Sequence, residues 1–425
     1  MSLLMVSGKK LMILGANPET IPIVEVARSM GVHTIVVDPV KNSPAKKIAH
    51  ESYCVDGLDV DALYNLAIKI KIDGVLLGVA DILMPSYFKL CEKLGFPCYV
   101  NSKSVDAFGS KDKFNQLCHE FGIDTIPNFN NKDDVLPTNY PVLVKPVDSG
   151  AGIGISICYN DAQLNKACLK AKTVSKSGRI QIEKFMQCDD MAVYCVFHDG
   201  VTILQATNDR FTTKKNDKGS PVCIGAVYPS NHQAEFSEKV TESLFRMLKS
   251  LDIAFGVLNI QFFYDKGKFY AYDPGFRLQG EGVHYHVQNE IGLDQRSWFI
   301  RFALGHSFTE NERKQVLKYK AAEDAHFATI WFLLKEGVIG SVKGLNELQS
   351  VIPSVKYVLQ RLHPGEQVST DMLGTEKQVF CRIYVQNLDI KVLRDDVDKL
   401  LTRVSVFSLD GANMILDTMG SEKIN

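Results

Sequence analysis

The sequence predicts a multidomain chain of α/β and α+β class, with a parallel α/β domain first, a two-lobed central domain, and a small α+β module at the C-terminus. Three observations predict it. The chain has 425 residues, 45% of them hydrophobic, which is more core than one compact domain holds, so about two to four domains are expected. Residues 9–39 read as an apolar strand, a glycine-containing turn, a helix and a second strand, which is the βαβ unit of a parallel sheet. From Tyr140 onward, strands are joined by glycine-rich and polar turns, including a hairpin over residues 256–273.

Composition narrows the function classes. Lys plus Arg (48) nearly cancels Asp plus Glu (49), so no long-range field favours nucleic acid or an anionic membrane, and an anionic ligand must be caught locally. The opening MSLLMVSGKK lacks an apolar core of signal-peptide length, and no window holds about eighteen uninterrupted apolar residues. A cytoplasmic location is the expectation. The ten cysteines are scattered without a CxxC pair, which predicts reduced residues and no zinc site.

Residues 1–105 are expected to form the first domain. Gly15 and Asn17 lie at the carboxyl end of its first strand, where parallel sheets bind ligands, but GANPET supplies one glycine of the three a dinucleotide fingerprint needs. Gly15 serves equally as a tight turn. The pattern continues with helices near Asp61–Lys71 and Ile82–Leu94, a strand near Gly74–Gly78, and a short strand at Pro97–Val100.

Residues 106–318 are expected to form the central domain, with a lid lobe over about 127–200. Residues 101–123 read as helical, with Lys111 and Lys113 near a helix start, where lysines are usually solvated. A strand carrying Lys145 leads into the glycine-rich stretch Asp148-Ser149-Gly150-Ala151-Gly152-Ile153-Gly154 and a second strand. Small residues there let backbone N–H groups approach an anion, although such turns also occur without a ligand. The strand ending in Glu183-Lys184-Phe185-Met186 could cradle a flat heterocycle or act as a hinge, with Asp189 and Asp190 closing it. His284 and His286 alternate in what reads as an extended stretch, a spacing open to metal ligation but more common for ordinary polar residues. Residues 319–425 read as a separate α+β module with little chemical signature.

The hairpin carries the densest chemistry. Gly256–Phe262 is β-branched and aromatic, Asp265-Lys266-Gly267 makes the turn, and Lys268–Asp273 returns. Gln261 and Asp273 can then share a face, with Arg277 a few residues on. An amide, an acid and a guanidinium about one point suit a divalent cation with a phosphoryl group, or an ordinary charged surface hairpin.

Taken in order, these segments resemble the ATP-grasp superfamily, in particular the group of biotin carboxylase, carbamoyl-phosphate synthetase and the amino-acid ligases. The resemblance spans about residues 9–310 and implies ATP as cofactor with Mg²⁺, or Mn²⁺ in its place. It places a phosphate lysine on Lys113, the strand lysine for the α- and β-phosphates on Lys145, and a phosphate lid on Ser149, Gly150, Gly152 and Gly154. It places the adenine connection on Glu183, Lys184, Phe185 and Met186, and a ribose-binding acid on Asp190. The two metal-binding positions fall on Gln261 and Asp273, a following asparagine on Gly275, an arginine on Arg277, and a reactive-site acid on Glu281. Gln261 and Gly275 depart from the pattern, which leaves Asp273 as the anionic metal ligand and weakens or removes a second metal.

The implied activity is ATP-dependent carboxylate–amine ligation through an acyl phosphate, on an amino acid or another small carboxylic acid. Bicarbonate use, as in carbamoyl-phosphate synthetase or biotin carboxylase, is one alternative, and non-catalytic ATP binding is another. The expected partners are small-molecule acids and amines, with no nucleic acid or membrane. Relatives are commonly homodimers.

Overall fold

The computed structural model describes residues 6–147, 154–175, 177–213, 221–306, 308–318 and 326–424. Strands β1 (Lys10–Leu14), β2 (His33–Val37), β3 (Glu51–Tyr53) and β4 (Gly74–Leu77) form a four-stranded parallel sheet in the order β3-β2-β1-β4. Four of the five β1 residues are buried, as a parallel strand covered on both faces requires. Helices α1 (Ile21–Ser29), α2 (Val60–Ile70) and α3 (Met84–Leu94) pack with it.

The short strand expected at Pro97–Val100 does not form. Its apolar character has another use. Tyr99 is buried and meets Tyr87, Phe276 and Phe299 at ring-centroid distances of 5.1, 5.3 and 5.1 Å, so it ties the first domain to the next. The helical stretch that follows is two helices, α4 (Ser102–Phe108) and α5 (Lys111–Glu120), because Gly109 ends the first and Ser110 turns extended to start the second.

The lid lobe is a four-stranded antiparallel sheet, β5 (Asn128–Phe129), β6 (Val142–Pro146), β7 (Ser156–Cys158) and β8 (Ile180–Lys184), in the order β5-β8-β6-β7, with α6 (Asp161–Val174) packed on β6 and β7. Val142, Val144, Leu164 and Ile182 give the lobe its own small core. Alternation on β6 sends Val142 and Val144 inward and leaves Leu143 and Lys145 part-exposed on the opposite face.

The central sheet begins with β9 (Asp189–His198), β10 (Val201–Thr212), β11 (Cys223–Tyr228), β12 (Phe255–Asp265) and β13 (Lys268–Gly275). The β12–β13 turn holds Lys266 and Gly267 at φ 49° and 84°, the two left-handed positions of a type I′ hairpin. Between β11 and β12 lie two helices, Gln233–Lys239 and Thr241–Ser250, which meet at Val240.

The C-terminal residues supply β14 (His326–Leu334), β15 (Gly337–Lys343), β16 (Val355–Gln360), β17 (Gln367–Val368), β18 (Val379–Asn387), β19 (Ser405–Ser408) and β20 (Ile415–Asp417). They do not stand apart. β14 pairs with β11, giving one nine-stranded sheet in the order β13-β12-β9-β10-β11-β14-β18-β16, with β20 on β14. Sequence reads the segment as separate because a ladder between strands about a hundred residues apart leaves no local signal. The segment keeps its own core, in which Trp331, Phe380, Leu393 and Val397 are buried.

His284 and His286 lie on the helix Val283–Ile291, entered through Gly282 at φ 84°, rather than on an extended stretch. Both are buried, and among the described residues neither ring nitrogen of His284 has a hydrogen-bond partner. Among the described residues no group of three or more His, Cys, Asp or Glu could hold a metal, and all ten cysteines are free thiols. No helix among them is long and apolar enough to cross a membrane.

Burial pushes His286 down from 6.5 to about 4 and His284 well below its ordinary value. Between about pH 4 and the unfolded value of 6.5, the unfolded chain binds a proton at position 286 that the folded chain refuses, so stability rises with pH across that window. Each such histidine contributes a slope of about 1.4 kcal/mol per pH unit. Thermal melts between pH 7 and 5 should show a falling Tm, and His286→Phe should flatten the fall; an unchanged slope in that variant would contradict the assignment.

Candidate active site

A cavity of about 430 Å³ opens between the lid lobe and the central sheet, within the roughly 300–1,000 Å³ usual for ligand pockets. The lid lobe contributes Leu143, Lys145, Ile155, Gln181 and Glu183, followed by Phe185 and Met186; the central sheet contributes Asp190, Arg210, Gln261, Phe263, Tyr272 and Asp273. Gly374, Thr375 and Glu376 from the C-terminal segment complete the lining. Glu376 is held there by Arg382, whose Nη2 donates to Glu376 Oε2 at 3.0 Å.

Lys145 and Asp273 therefore face one cavity from different lobes. Lys145 Nζ donates to Glu183 Oε1 at 2.5 Å across β6 and β8, with both side chains largely buried. Burial lowers the Lys145 pKa from its ordinary value, and the nearby Glu183 carboxylate offsets that only in part. Asp273 is half-exposed and lies 3.6 Å from Lys111 Nζ. Lys111 lines the cavity, whereas Lys113 is exposed and lies outside the lining. The two lysines are two residues apart on α5, about 200° around a helix, so only one can face the cavity.

Gln261 and Asp273 are direct partners on β12 and β13. Gln261 Oε1 already accepts a hydrogen bond from Arg210 Nη1 at 2.9 Å. Arg210 is the largely buried hub of the site. Its Nη1 also donates to Asp190 Oδ2 and to the Tyr272 hydroxyl, each at 3.0 Å, and its Nε and Nη2 reach Glu281 Oε1 at 3.2 and 3.1 Å. Tyr272 in turn donates to Asp190 Oδ1 at 2.9 Å, and Tyr194 to Glu281 Oε2 at 2.5 Å.

Burial pushes the Asp190 carboxyl up from its ordinary value, with Arg210 pulling it back only in part. For Glu281 burial acts the same way, but Arg210 and the Tyr194 hydroxyl outweigh it and hold its pKa below the ordinary value. The two acids share one guanidinium, and Glu281 has the larger share through two nitrogens.

Other expected positions fall elsewhere. Arg277 is outside the cavity lining, and its Nη2 pairs with Asp81 Oδ2 of the first domain at 2.5 Å. Glu281 is buried behind the cavity against Arg210 and Tyr194. Asp190 reaches the cavity with both oxygens already engaged, by Arg210 and Tyr272. Lys184 lines the cavity, but its ammonium turns to the Asn139 carbonyl at 2.8 Å. The N–H groups of Lys184 and Phe185 are taken by the Pro127 and Pro141 carbonyls. Ser149, Gly150 and Gly152 lie outside the described residues, and Gly154 sits at φ 80°. A Cβ on Gly275 would crowd Asn259 Oδ1, so a side chain there would require the Asn259 amide to move.

Residues 129–274 match the family model described as D-ala D-ala ligase C-terminus. Over that stretch the chain is similar to the ATP-grasp ligases. It is 25% identical over 318 residues to the formate-dependent phosphoribosylglycinamide formyltransferase of Bacillus subtilis, covering 72% of this chain and 80% of that one. For some other relatives of that name the match spans about half their length, 51% and 52%. Among solved structures, the L-amino acid ligase from Bacillus licheniformis superposes with TM-score 0.75 at 18% identity, covering 95% of this chain and 99% of that one. The phosphoribosylglycinamide synthetase from Anaerococcus prevotii superposes with TM-score 0.72 at 15% identity, covering 94% and 99%. The ATP-grasp fold, with its parallel N-terminal sheet and two-lobed centre, is the one the sequence predicts.

The residues present fit one divalent cation. Asp273 offers a half-exposed carboxylate at the cavity, and Mg²⁺ is usually held by one or two carboxylates with phosphate and water completing its shell. They fit a second ion poorly, because the Gln261 oxygen already accepts from a guanidinium.

Arg210 and Lys111 were outside the expected site. Arg210 follows two polar residues on a strand and has no motif about it, and only the pairing of Arg210 with Asp190 across β10 and β9 brings it to the cavity. Arg210→Met should cost about 3–5 kcal/mol of stability, since it strands Asp190 and Glu281 without their counter-ion. Chemical denaturation measures this, and Arg210→Met/Asp190→Asn/Glu281→Gln should recover part of the loss. A loss under 1 kcal/mol in the single variant would contradict the role of Arg210 as hub.

Proposed function

We propose that the chain binds ATP in this cavity and ligates a small carboxylic acid to an amine. The observation that carries the reading is the convergence of Lys145 from the lid lobe and Asp273 from the central hairpin on one cavity. Its apolar lining, with Leu143, Ile155, Phe185 and Phe263, suits a flat heterocycle. Lys111 and Lys145 carry the positive charge that a triphosphate needs. Magnesium, held by Asp273, would neutralise phosphate charge during transfer.

In the first step a substrate carboxylate oxygen attacks the γ-phosphorus, the bond to the bridging oxygen breaks, and ADP leaves. In the second the amine nitrogen attacks the acyl carbon, loses its proton, and phosphate departs. Lys145 stays on the phosphate oxygens throughout, with Glu183 fixing its ammonium in place. The chain's part is positioning and charge neutralisation, which need no covalent group from the protein. The acid is an amino acid or a similar small acid, and the assembly is a homodimer in the cytoplasm.

A second reading, binding without turnover, is favoured by the neutral Gln261 and by Gly275, which offers no side-chain ligand. A panel of carboxylic acids and amines assayed for ADP release separates the two. Turnover with any pair supports the ligase, and ATP binding without turnover across the panel supports the other. Lys145→Ala should weaken ATP binding about 10- to 100-fold in calorimetry, the range of a charge-assisted hydrogen bond; unchanged affinity would remove Lys145 from the site. Asp273→Asn should abolish Mg²⁺-dependent turnover while leaving metal-free nucleotide binding within about threefold, and full activity would place the metal elsewhere.

A further inference from the structure

Two features of the cavity take no part in the ligation steps above: a buried arginine on β10 and a neutral residue where the family resemblance implies a metal-binding acid. They touch each other. Arg210 Nη1 donates to Gln261 Oε1 at 2.9 Å, and Gln261 is the direct strand partner of Asp273. We propose that Arg210 is a permanent cation in place of a second metal, so that the chain carries a single divalent ion with its nucleotide. This rests on the nucleotide reading of the cavity.

Four observations support it. A hard cation binds oxygen at about 2.0–2.6 Å, so an ion on Gln261 Oε1 would sit beside a guanidinium that already holds that oxygen. The guanidinium cannot shed its proton to make room, because arginine stays charged in proteins. The acids that could ligate a second ion are spent on Arg210 itself: Asp190 at 3.0 Å and Glu281 at 3.1 Å, both largely buried. Gly275 offers no ligating side chain, and Asn259 Oδ1 occupies the space a Cβ there would enter.

Arg210 is also placed to act on a ligand. Its side chain lines the cavity, and among the described residues one Nη2 hydrogen remains after the bonds to Glu281, Asp190, Gln261 and the Tyr272 hydroxyl are made. That hydrogen is a donor for a phosphate oxygen. The exchange of an acid for glutamine at position 261 then has a physical reason. A carboxylate there would add a third negative group to Asp190 and Glu281 around one guanidinium, whereas an amide oxygen accepts its hydrogen bond without further charge.

The proposal gives opposite answers from simple restoration of the missing acid. If Gln261 alone limits the metal count, Gln261→Glu should gain a second ion. If Arg210 holds the position, the new carboxylate pairs with the guanidinium and the count stays at one.

The test is the Mn²⁺ stoichiometry of the full-length protein saturated with a non-hydrolysable ATP analogue, read by electron paramagnetic resonance and equilibrium dialysis. Wild type and Gln261→Glu should each bind a single Mn²⁺ per nucleotide. Arg210→Gln/Gln261→Glu, which removes the fixed cation and supplies the acid, should bind two. Two ions in the wild type, or a second ion gained by Gln261→Glu alone, would overturn the proposal, and these counts decide it even if the double variant does not fold. Absence of analogue binding, with or without Mn²⁺, would overturn the nucleotide reading and this inference together, and so is distinguishable from binding with a different metal count.

Discussion

One guanidinium organises the site. Arg210 Nη1 and Nη2 connect β10 to Asp190 on β9, Gln261 on β12, Tyr272 on β13 and Glu281 beyond the hairpin. In a largely buried setting a charge is tolerated only when it is paired and hydrogen-bonded. The strands that meet at Arg210 are therefore held in one register, and the positions of Gln261 and Asp273 follow from it. Glu281 belongs to this support as well: its contacts are Arg210 and the Tyr194 hydroxyl, behind the cavity rather than in it.

The lid lobe is built on a different principle. It has its own small core and meets the site through the part-exposed face of β6 and the end of β8, so Lys145 and Glu183 are presented by a unit that folds around Val142, Val144 and Ile182. The central sheet presents Asp273 from a core that also includes the first domain. A ligand held between Lys145 and Asp273 thus bridges two separately packed bodies. The C-terminal segment closes a third side, where Arg382 stacks on Trp331 at 3.8 Å and fixes Glu376 at the rim. Arg382 also pairs with Glu19 of the first domain at 3.1 Å and bonds the Gly280 carbonyl at 2.9 Å. One buried arginine therefore links three parts of the chain.

Much of this arrangement was legible in the sequence where the signal is local. The βαβ unit, the Lys266-Gly267 turn and the Lys145 strand each follow from local spacing, whereas the pairing of Gln261 with Asp273 needs a register shift between Gln261 and Phe262 that the turn alone does not set. What escaped depends on long-range pairing. The union of β11 with β14 joins segments about a hundred residues apart, and nothing near either strand announces the partner. Arg210 reaches Gln261 only through the β10–β9–β12 order. Arg277 is close to Asp273 along the chain, yet the turn after β13 carries its guanidinium to Asp81. Lys113 comes from the resemblance, and it is Lys111, on the other side of α5, that lines the cavity. The apolar Pro97–Val100 stretch read as a strand because anchoring by Tyr99 and strand formation leave the same hydrophobic mark.

The account holds that a single nucleotide lies with its phosphates between the two lobes. The most direct measurement is a crystal structure of the protein with a non-hydrolysable ATP analogue and Mg²⁺. It should place a phosphate oxygen within about 3.2 Å of Lys145 Nζ and a magnesium ion on the Asp273 carboxylate. A nucleotide seated outside this cavity, or one whose phosphates reach neither Lys145 nor Asp273, would contradict it.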